Sequence, residues 1–191
     1  MRGVVPLASL ALLLAACGQQ GGNGNAAPAG STESNLSTAT AVPKDDLGAL
    51  LGSQPRLAGL IKAAGMEPIL SGKEPYTLLA PTDQALDALP AGTLERLQSP
   101  AGKAELTGLL RHHILPGTIL VADLARAVES GGGKATLATM AGDPLTVTKE
   151  GNVFRIGDSG SGGARFVGDE RPARNGVIHP IDAVLPLPAA K

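Results

Sequence analysis

Residues 76–86 read Tyr76-Thr77-Leu78-Leu79-Ala80-Pro81-Thr82-Asp83-Gln84-Ala85-Leu86, and residues 175–185 read Asn175-Gly176-Val177-Ile178-His179-Pro180-Ile181-Asp182-Ala183-Val184-Leu185. The first stretch changes character half-way. Tyr76 to Ala80 is a short apolar run of strand length. Pro81-Thr82-Asp83 then starts a helix: Thr82 caps it, and Asp83 complements the positive end of its dipole. Ala85, Leu86 and Leu89 face inward, and Pro90 ends it. In the second stretch, Val177 to Leu185 reads as a strand. Asn175-Gly176 before it is a two-residue hairpin signal, because both positions tolerate positive φ.

Helical patterns surround the first stretch. Leu47, Leu50 and Leu51 have helical spacing, and Pro55 suits the first turn of a second helix with Leu57, Leu60, Ile61 and Ala64 as its apolar stripe. Gly65 stops that helix. Ser99-Pro100 reads as another cap-and-start pair, ahead of Leu106, Leu109, Leu110 and His113 at i, i+3, i+4 and i+7. Pro116-Gly117 breaks this helix. Val121 to Val128 forms one more, closed by Gly131-Gly132-Gly133. Beyond it the period becomes two. Ala135–Met140, Leu145–Lys149 and Val153–Ile156 alternate as strands, and Arg165–Val167 pairs with Val177–Leu185 across Asn175-Gly176. Helices first and strands later make an α+β pattern. Gly157 to Gly163 reads as a loose loop.

The N-terminus is of another kind. Arg2 precedes an apolar stretch, Val4 to Ala16, broken only by Pro6 and Ser9. A membrane-spanning helix needs about 20 apolar residues, so this run is too short; it has the form of a secretory signal. It ends in Leu14-Ala15-Ala16-Cys17, which resembles the lipobox of bacterial lipoproteins. That resemblance implies that Cys17, the one cysteine of the chain, becomes an acylated N-terminus carrying diacylglycerol and palmitate-type chains. Two or more chains hold a protein stably on a bilayer. Gly18 follows where Asp would favour the inner membrane, so the resemblance points to the outer membrane of a Gram-negative bacterium. Residues 18–43 are rich in Gly, Asn, Ala, Ser and Thr and are read as a disordered tether. At about 5–6 Å × √n its coil span is roughly 25–30 Å.

Charge and composition narrow the function. The formal net charge is −1, and loss of residues 1–16 with Arg2 makes it −2. No basic stripe marks a nucleic-acid surface. Tyr76, Phe154 and Phe166 are the whole aromatic complement, so the core is built from Leu, Ile, Val and Ala. The same scarcity weakens any function that stacks rings on exposed aromatics.

The stretch Tyr76–Leu86 resembles the first signature of the fasciclin domain, usually Thr-Val-Phe-Ala-Pro-Thr-Asp, two residues, then Phe. Asn175–Leu185 resembles the second signature. Between them Leu109-Leu110-Arg111-His112-His113-Ile114-Leu115-Pro116-Gly117 resembles the central histidine segment, with His113 on the usual histidine. The likeness runs over roughly 44–188 and implies one fasciclin domain: a wedge-shaped β-sandwich of about seven strands, with several helices packed at one end. It places Thr77, Pro81, Thr82, Asp83, His113, Asn175, Gly176, Ile178, His179 and Asp182 on motif positions with structural roles. It also implies a surface or secreted binding module, without catalysis. Three departures stand out. Leu79 and Leu86 replace phenylalanines, so the core is repacked. Pro180 replaces an apolar strand residue, which suggests an edge or a bulge there. Gly168 to Arg174 lacks the Asp-Ile element of integrin-binding animal relatives, and there is no Arg-Gly-Asp.

The remaining candidate sites read as plain structural features. His112 and His113 are adjacent on a helix and point about 100° apart, too divergent to share an ion. His113 reads as a core histidine and His112 as solvent-facing, so no metal and no cofactor is expected. Gly157-Asp158-Ser159-Gly160 resembles a protease nucleophile loop, but Ser161 stands where the Gly-x-Ser-x-Gly elbow needs glycine. Asn175 and Asp182 are expected to bond to backbone, and Asp169-Glu170-Arg171 with Arg174 to form a solvated turn. The expectation is a lipid-anchored envelope module for binding or adhesion. It would touch the membrane through Cys17 and an envelope or extracellular protein or polymer through its domain. The alternative is a carrier of an apolar small molecule such as a carotenoid.

Overall fold

The computed structural model describes residues 43–157 and 163–187. The lipobox Cys17, the tether up to residue 42, residue 188 and most of the 157–163 loop lie outside them. The described residues all fall in one compact unit spanning 40–191.

The chain opens with α1 (Leu47–Leu50), whose first turn is capped by Asp46 accepting from the Ala49 N–H at 2.9 Å, and which runs on as a 3-10 turn over Leu51–Ser53. Next come α2 (Pro55–Ala64) and α3 (Glu67–Leu70). Pro55 occupies the first turn of α2, and Gly65 ends it at φ 75°, the left-handed cap that a Cβ would disfavour. Strand β1 (Tyr76–Pro81) leads into α4 (Asp83–Asp87), then α5 (Thr93–Gln98) and α6 (Lys103–His112). Strand β2 (Ile114–Pro116) and α7 (Val121–Ser130) follow. The rest is strand: β3 (Lys134–Ala138), β4 (Pro144–Glu150), β5 (Val153–Ile156), β6 (Ala164–Arg165), β7 (Arg171–Ala173) and β8 (Gly176–Ile181).

The strands form two four-stranded sheets, β2-β1-β8-β7 and β3-β4-β5-β6. The fold is therefore α+β with eight described strands rather than about seven. One pairing is parallel: β1 runs beside β8 from Tyr76↔Gly176 to Pro81↔Ile181. The two signature stretches are thus neighbouring strands, although about a hundred residues separate them in the chain. Both faces of this sheet are covered. Leu78, Ala80 and Ile178 join a core with α1, α2, α3, α4, α5 and α6, through Leu47, Leu57, Ile61, Leu70, Leu86, Leu97 and Leu106. Leu79 and Ile181 join a second core with α7 and the other sheet, through Leu124, Leu145, Val147, Phe154 and Ile156. The leucines at 79 and 86 lie in these cores at 1% and 2% exposure, so the space is filled without the rings.

Four expectations change. The hydroxyl of Ser99 accepts from Gly102 N–H at 3.1 Å and donates to Arg96 C=O at 2.6 Å, so Ser99 closes α5 and α6 begins only at Lys103. The last hairpin pairs β7 with β8, its turn residues are Arg174 and Asn175, and Gly176 is already strand. Residues 169–174 are not a free turn. They contain β7, and Glu170, Arg171 and Arg174 bond to Val121, Ser53 and Asp46. His112 is buried at 4% exposure instead of facing water, because the chain passes straight from α6 into buried β2 and both flanks are packed. Pro180 meets its expectation only as a local edge, since β8 is an inner strand in unbroken register with β1. The Pro180 carbonyl accepts from Val167 N–H at 2.9 Å on the side away from β1, and β7 reaches only as far as Ile178. No ladder donor is asked of residue 180.

Candidate functional site

The motif residues converge on the backbone around β1 and β8. The Thr77 hydroxyl donates to Gly117 C=O at 2.8 Å and accepts from Ile119 N–H at 2.9 Å. From β8, His179 Nε2 donates to Ile119 C=O at 2.7 Å. One short loop is therefore clasped by both signatures. Thr82 caps α4 by accepting from Ala85 N–H at 3.2 Å, and its own N–H donates to Ile181 C=O at 3.0 Å. Pro81 is buried at the end of β1, and Asp83 stands exposed in the first turn of α4.

Asn175 is buried and uses its whole amide. Its Oδ1 accepts from Leu47 N–H at 2.9 Å, and its Nδ2 donates to the carbonyls of Leu70 at 2.8 Å and Gly72 at 2.9 Å. Gly176 lets the strands close: a Cβ there would stand 1.8 Å from the Tyr76 carbonyl oxygen. Ile178 is fully buried. Asp182 Oδ1 accepts from Arg165 N–H at 2.6 Å while its own N–H donates back to Arg165 C=O at 3.0 Å.

His113 lies between the two cores. Its Nδ1 donates to Leu109 C=O at 2.8 Å, and Nε2 accepts from Leu185 N–H at 3.0 Å. Burial, with a smaller contribution from neighbouring His112, pulls its pKa down to about 4 against the opposing pull of the Leu109 carbonyl. Burial also lowers the pKa of His179, with the Ile119 carbonyl and Glu170 acting the other way. The three histidines do not form one site. Among the described residues, no three His, Cys, Asp or Glu side chains are grouped to hold a metal ion.

Among the described residues, two of the hollows that could take a ligand stand beside the motif elements. One, about 380 Å³, lies between α2, α4 and α5 and is lined by Pro55, Arg56, Leu60, Leu86, Leu94 and Glu95. The other, about 130 Å³, is lined by Val121, Phe154, Phe166, Glu170 and His179. In it His179 stacks on Phe166 with ring centres 5.0 Å apart, and Phe154 leans on Phe166 at 6.1 Å. Sequence reasoning missed this notch. The signal was there in part: two of the three aromatics of the chain, Phe154 and Phe166, precede the second signature by no more than about twenty residues.

The sequence model of the fasciclin domain matches residues 54–188. The chain belongs to the fasciclin domain family. Among curated relatives, protein sll1483 of the cyanobacterium Synechocystis is 36% identical over 129 residues, covering 68% of this chain and 64% of that protein. The transforming growth factor-beta-induced protein ig-h3 of Sus scrofa is 35% identical over 136 residues, 71% of this chain but 18% of that protein. The immunogenic protein MPB70 of Mycobacterium bovis is 27% identical over 195 residues, 96% of this chain and 92% of that protein. The chain thus spans just under two thirds of the cyanobacterial relative and a small part of the porcine one. A solved fasciclin domain pair, from the insect cell adhesion molecule fasciclin I, matches with a TM-score of 0.53 at 21% identity, over 74% of this chain and 48% of that one. That likeness carries the fold.

Proposed function

We propose that this fasciclin protein is a non-catalytic binding and adhesion module of the cell envelope. In this reading Cys17 is acylated and moors the chain to the outer membrane of a Gram-negative bacterium, 18–43 is the tether, and 44–188 is a single fasciclin domain that meets an envelope or extracellular protein or polymer. One observation carries the non-catalytic part. The polar motif side chains Thr77, Thr82, His113, Asn175 and Asp182 each bond to backbone of their own chain, so their chemistry is spent on holding the fold. A nucleophile needs a base within hydrogen-bond reach, and none of these side chains supplies one to another. Adhesion is the role stated for the insect relative, and it suits a rigid domain on a tether. The carrier alternative has less support. The hollow beside α2 carries Arg56, Glu95 and Gln98 on its walls, a poor match for a hydrocarbon polyene.

Growth with labelled palmitate tests the mooring: the wild-type chain takes up label and sediments with membranes, and Cys17→Ser loses both. Label retained by Cys17→Ser would refute it. Crosslinking in intact envelopes tests the binding role, which fails if no protein or polymer is recovered reproducibly. Organic extraction of the purified protein that releases a polyene would instead favour the carrier.

A further inference from the structure

Each sheet has two outer strands, and three of the four are blunted. Strand β2 is three residues long and ends in Pro116; β7 is three residues long with Pro172 at its centre; β6 is two residues, Ala164 and Arg165. Such shortening, prolines and charges are how proteins keep sheet edges from pairing. Strand β3 differs. Its five residues, Lys134-Ala135-Thr136-Leu137-Ala138, hold no proline and one charge, at the end.

The direction of its free backbone groups follows from the ladder. Thr136 pairs with Thr146, and the Thr146 carbonyl accepts from Gly157 N–H at 3.0 Å, on the far side of β4. In an antiparallel pair both residues of a non-bonded position turn their groups away from each other. Thr136 therefore turns its N–H and C=O outward, and Lys134 and Ala138 do the same. The next outward position confirms it: Met140 N–H donates to Ile114 C=O at 2.8 Å. Lys134, Thr136 and Ala138 are exposed. The core also stops unfinished here. Leu145 and Val147 on β4 are 2% and 0% exposed, whereas their partners Leu137 and Ala135 on β3 are only half covered.

We infer that the β3 edge pairs antiparallel with the β3 edge of a second copy of this chain, across a two-fold axis at Thr136, joining two four-stranded sheets into one of eight. The strand is complementary to itself in this register. Thr136 faces its own copy, a favourable cross-strand pair. Lys134 falls opposite Ala138 of the second copy, near the turn that carries Asp143, so no like charges meet. Ala135 falls opposite Leu137, in the closer non-bonded position on the core side, and each covers what the other leaves open. Five paired residues bury less than the 1,200 Å² or so of a stable interface. The dimer is therefore weak in solution, and copies moored to one membrane would populate it. That last clause rests on the proposed anchoring; the pairing itself does not.

The test uses the full chain with Cys17→Ser in mild detergent, so that its result is independent of lipidation. Sedimentation is expected to show concentration-dependent dimers. Adding Thr136→Lys or Thr136→Glu places like charges face to face and leaves monomers with an unchanged melting temperature. An equimolar mixture of the two regains the dimer. Should either variant fail to fold, Thr136→Cys in the same background decides: it is expected to form a disulfide-linked dimer on mild oxidation, because bonded antiparallel pairs bring Cα atoms about 5.5 Å apart. Thr148→Cys on β4 is not. Monomers at every concentration, dimers that survive both charged variants, or Thr136→Cys crosslinking no better than Thr148→Cys would each overturn the inference. So would amides of β3 protected from exchange in a monomer and exposed once residues 18–42 are removed, which would make the tether the occupant.

Discussion

His113 can serve its two partners only as a neutral ring with the proton on Nδ1. Leu109 C=O takes that proton, and Leu185 N–H needs the bare Nε2. A second proton would set Nε2–H against the Leu185 N–H at a buried position where His113 is only 2% exposed. The sign of the pH dependence follows. The folded pKa, about 4, lies below the unfolded value of 6.5. The stability that this ring contributes is complete above about pH 6.5, declines as pH falls, and is lost once pH has passed through 4. At about 1.4 kcal/mol per unit the loss is about 3 kcal/mol. His179 acts in the same direction. Urea denaturation at pH 7, 5.5 and 4 should therefore show falling stability, and His113→Gln should be less stable at pH 7 but lose less on acidification. An equal pH slope in the two proteins would remove His113 from this role. The sequence marked His113 as a core residue because it extends the Leu106–Leu110 stripe; nothing local marked Leu185, seventy-two residues away, as its partner.

At the scale of elements, the caps of α2 and α4 and the starts of β1, α7 and β5 could be read directly, because each depends on a few adjacent residues. Pro55 and Gly65 bound one helix and Thr82 starts another. What could not be read has a common cause. Helix α3 has four residues and strands β2 and β7 three each, too short for a period to register. They exist because neighbours already in place hold them. Of the Asn175-Gly176 pair, only the glycine departs from its expectation. Asn175 lies in the turn and bonds to backbone as expected, with its amide held by Leu47, Leu70 and Gly72. Gly176 lies in β8 instead of the turn, and is glycine for the approach of Tyr76. Here φ is 150° and a side chain would overlap the Tyr76 carbonyl. Gly176→Ala is expected to cost more than about 4 kcal/mol, in the range of severe backbone clashes. Thr82→Ala, which removes one cap bond, should cost about 1 kcal/mol. Thermal melts of the two variants compare them directly, and a milder effect at 176 than at 82 would contradict the reading.

For the whole molecule, the decisive strand is β1, because it feeds both cores. Leu78 and Ala80 enter the helical core while Leu79 enters the core between the sheets. Strand β8 repeats the arrangement with Ile178 and Ile181. A protein built this way should not melt in halves, since neither core keeps its wall if the central pair separates. Leu78→Ala and Leu79→Ala each open a cavity on one face and should cost about 2–5 kcal/mol. Native-state hydrogen exchange distinguishes the alternatives. If the central pair couples the cores, amides of α2 and of β4 lose the same protection in both variants, although each variant touches only one core. If Leu79→Ala loosened β4 while α2 kept its protection, the cores would be separate cooperative units. The same pairing governs how the fold is reached. Joining Tyr76 to Gly176 closes a loop of about a hundred residues before the parallel ladder gives anything back, and non-local pairing of this kind places folding in the millisecond-to-second range. Destabilising Leu79 should then slow refolding as well as speed unfolding, a split that stopped-flow fluorescence of Tyr76, the single tyrosine, can follow.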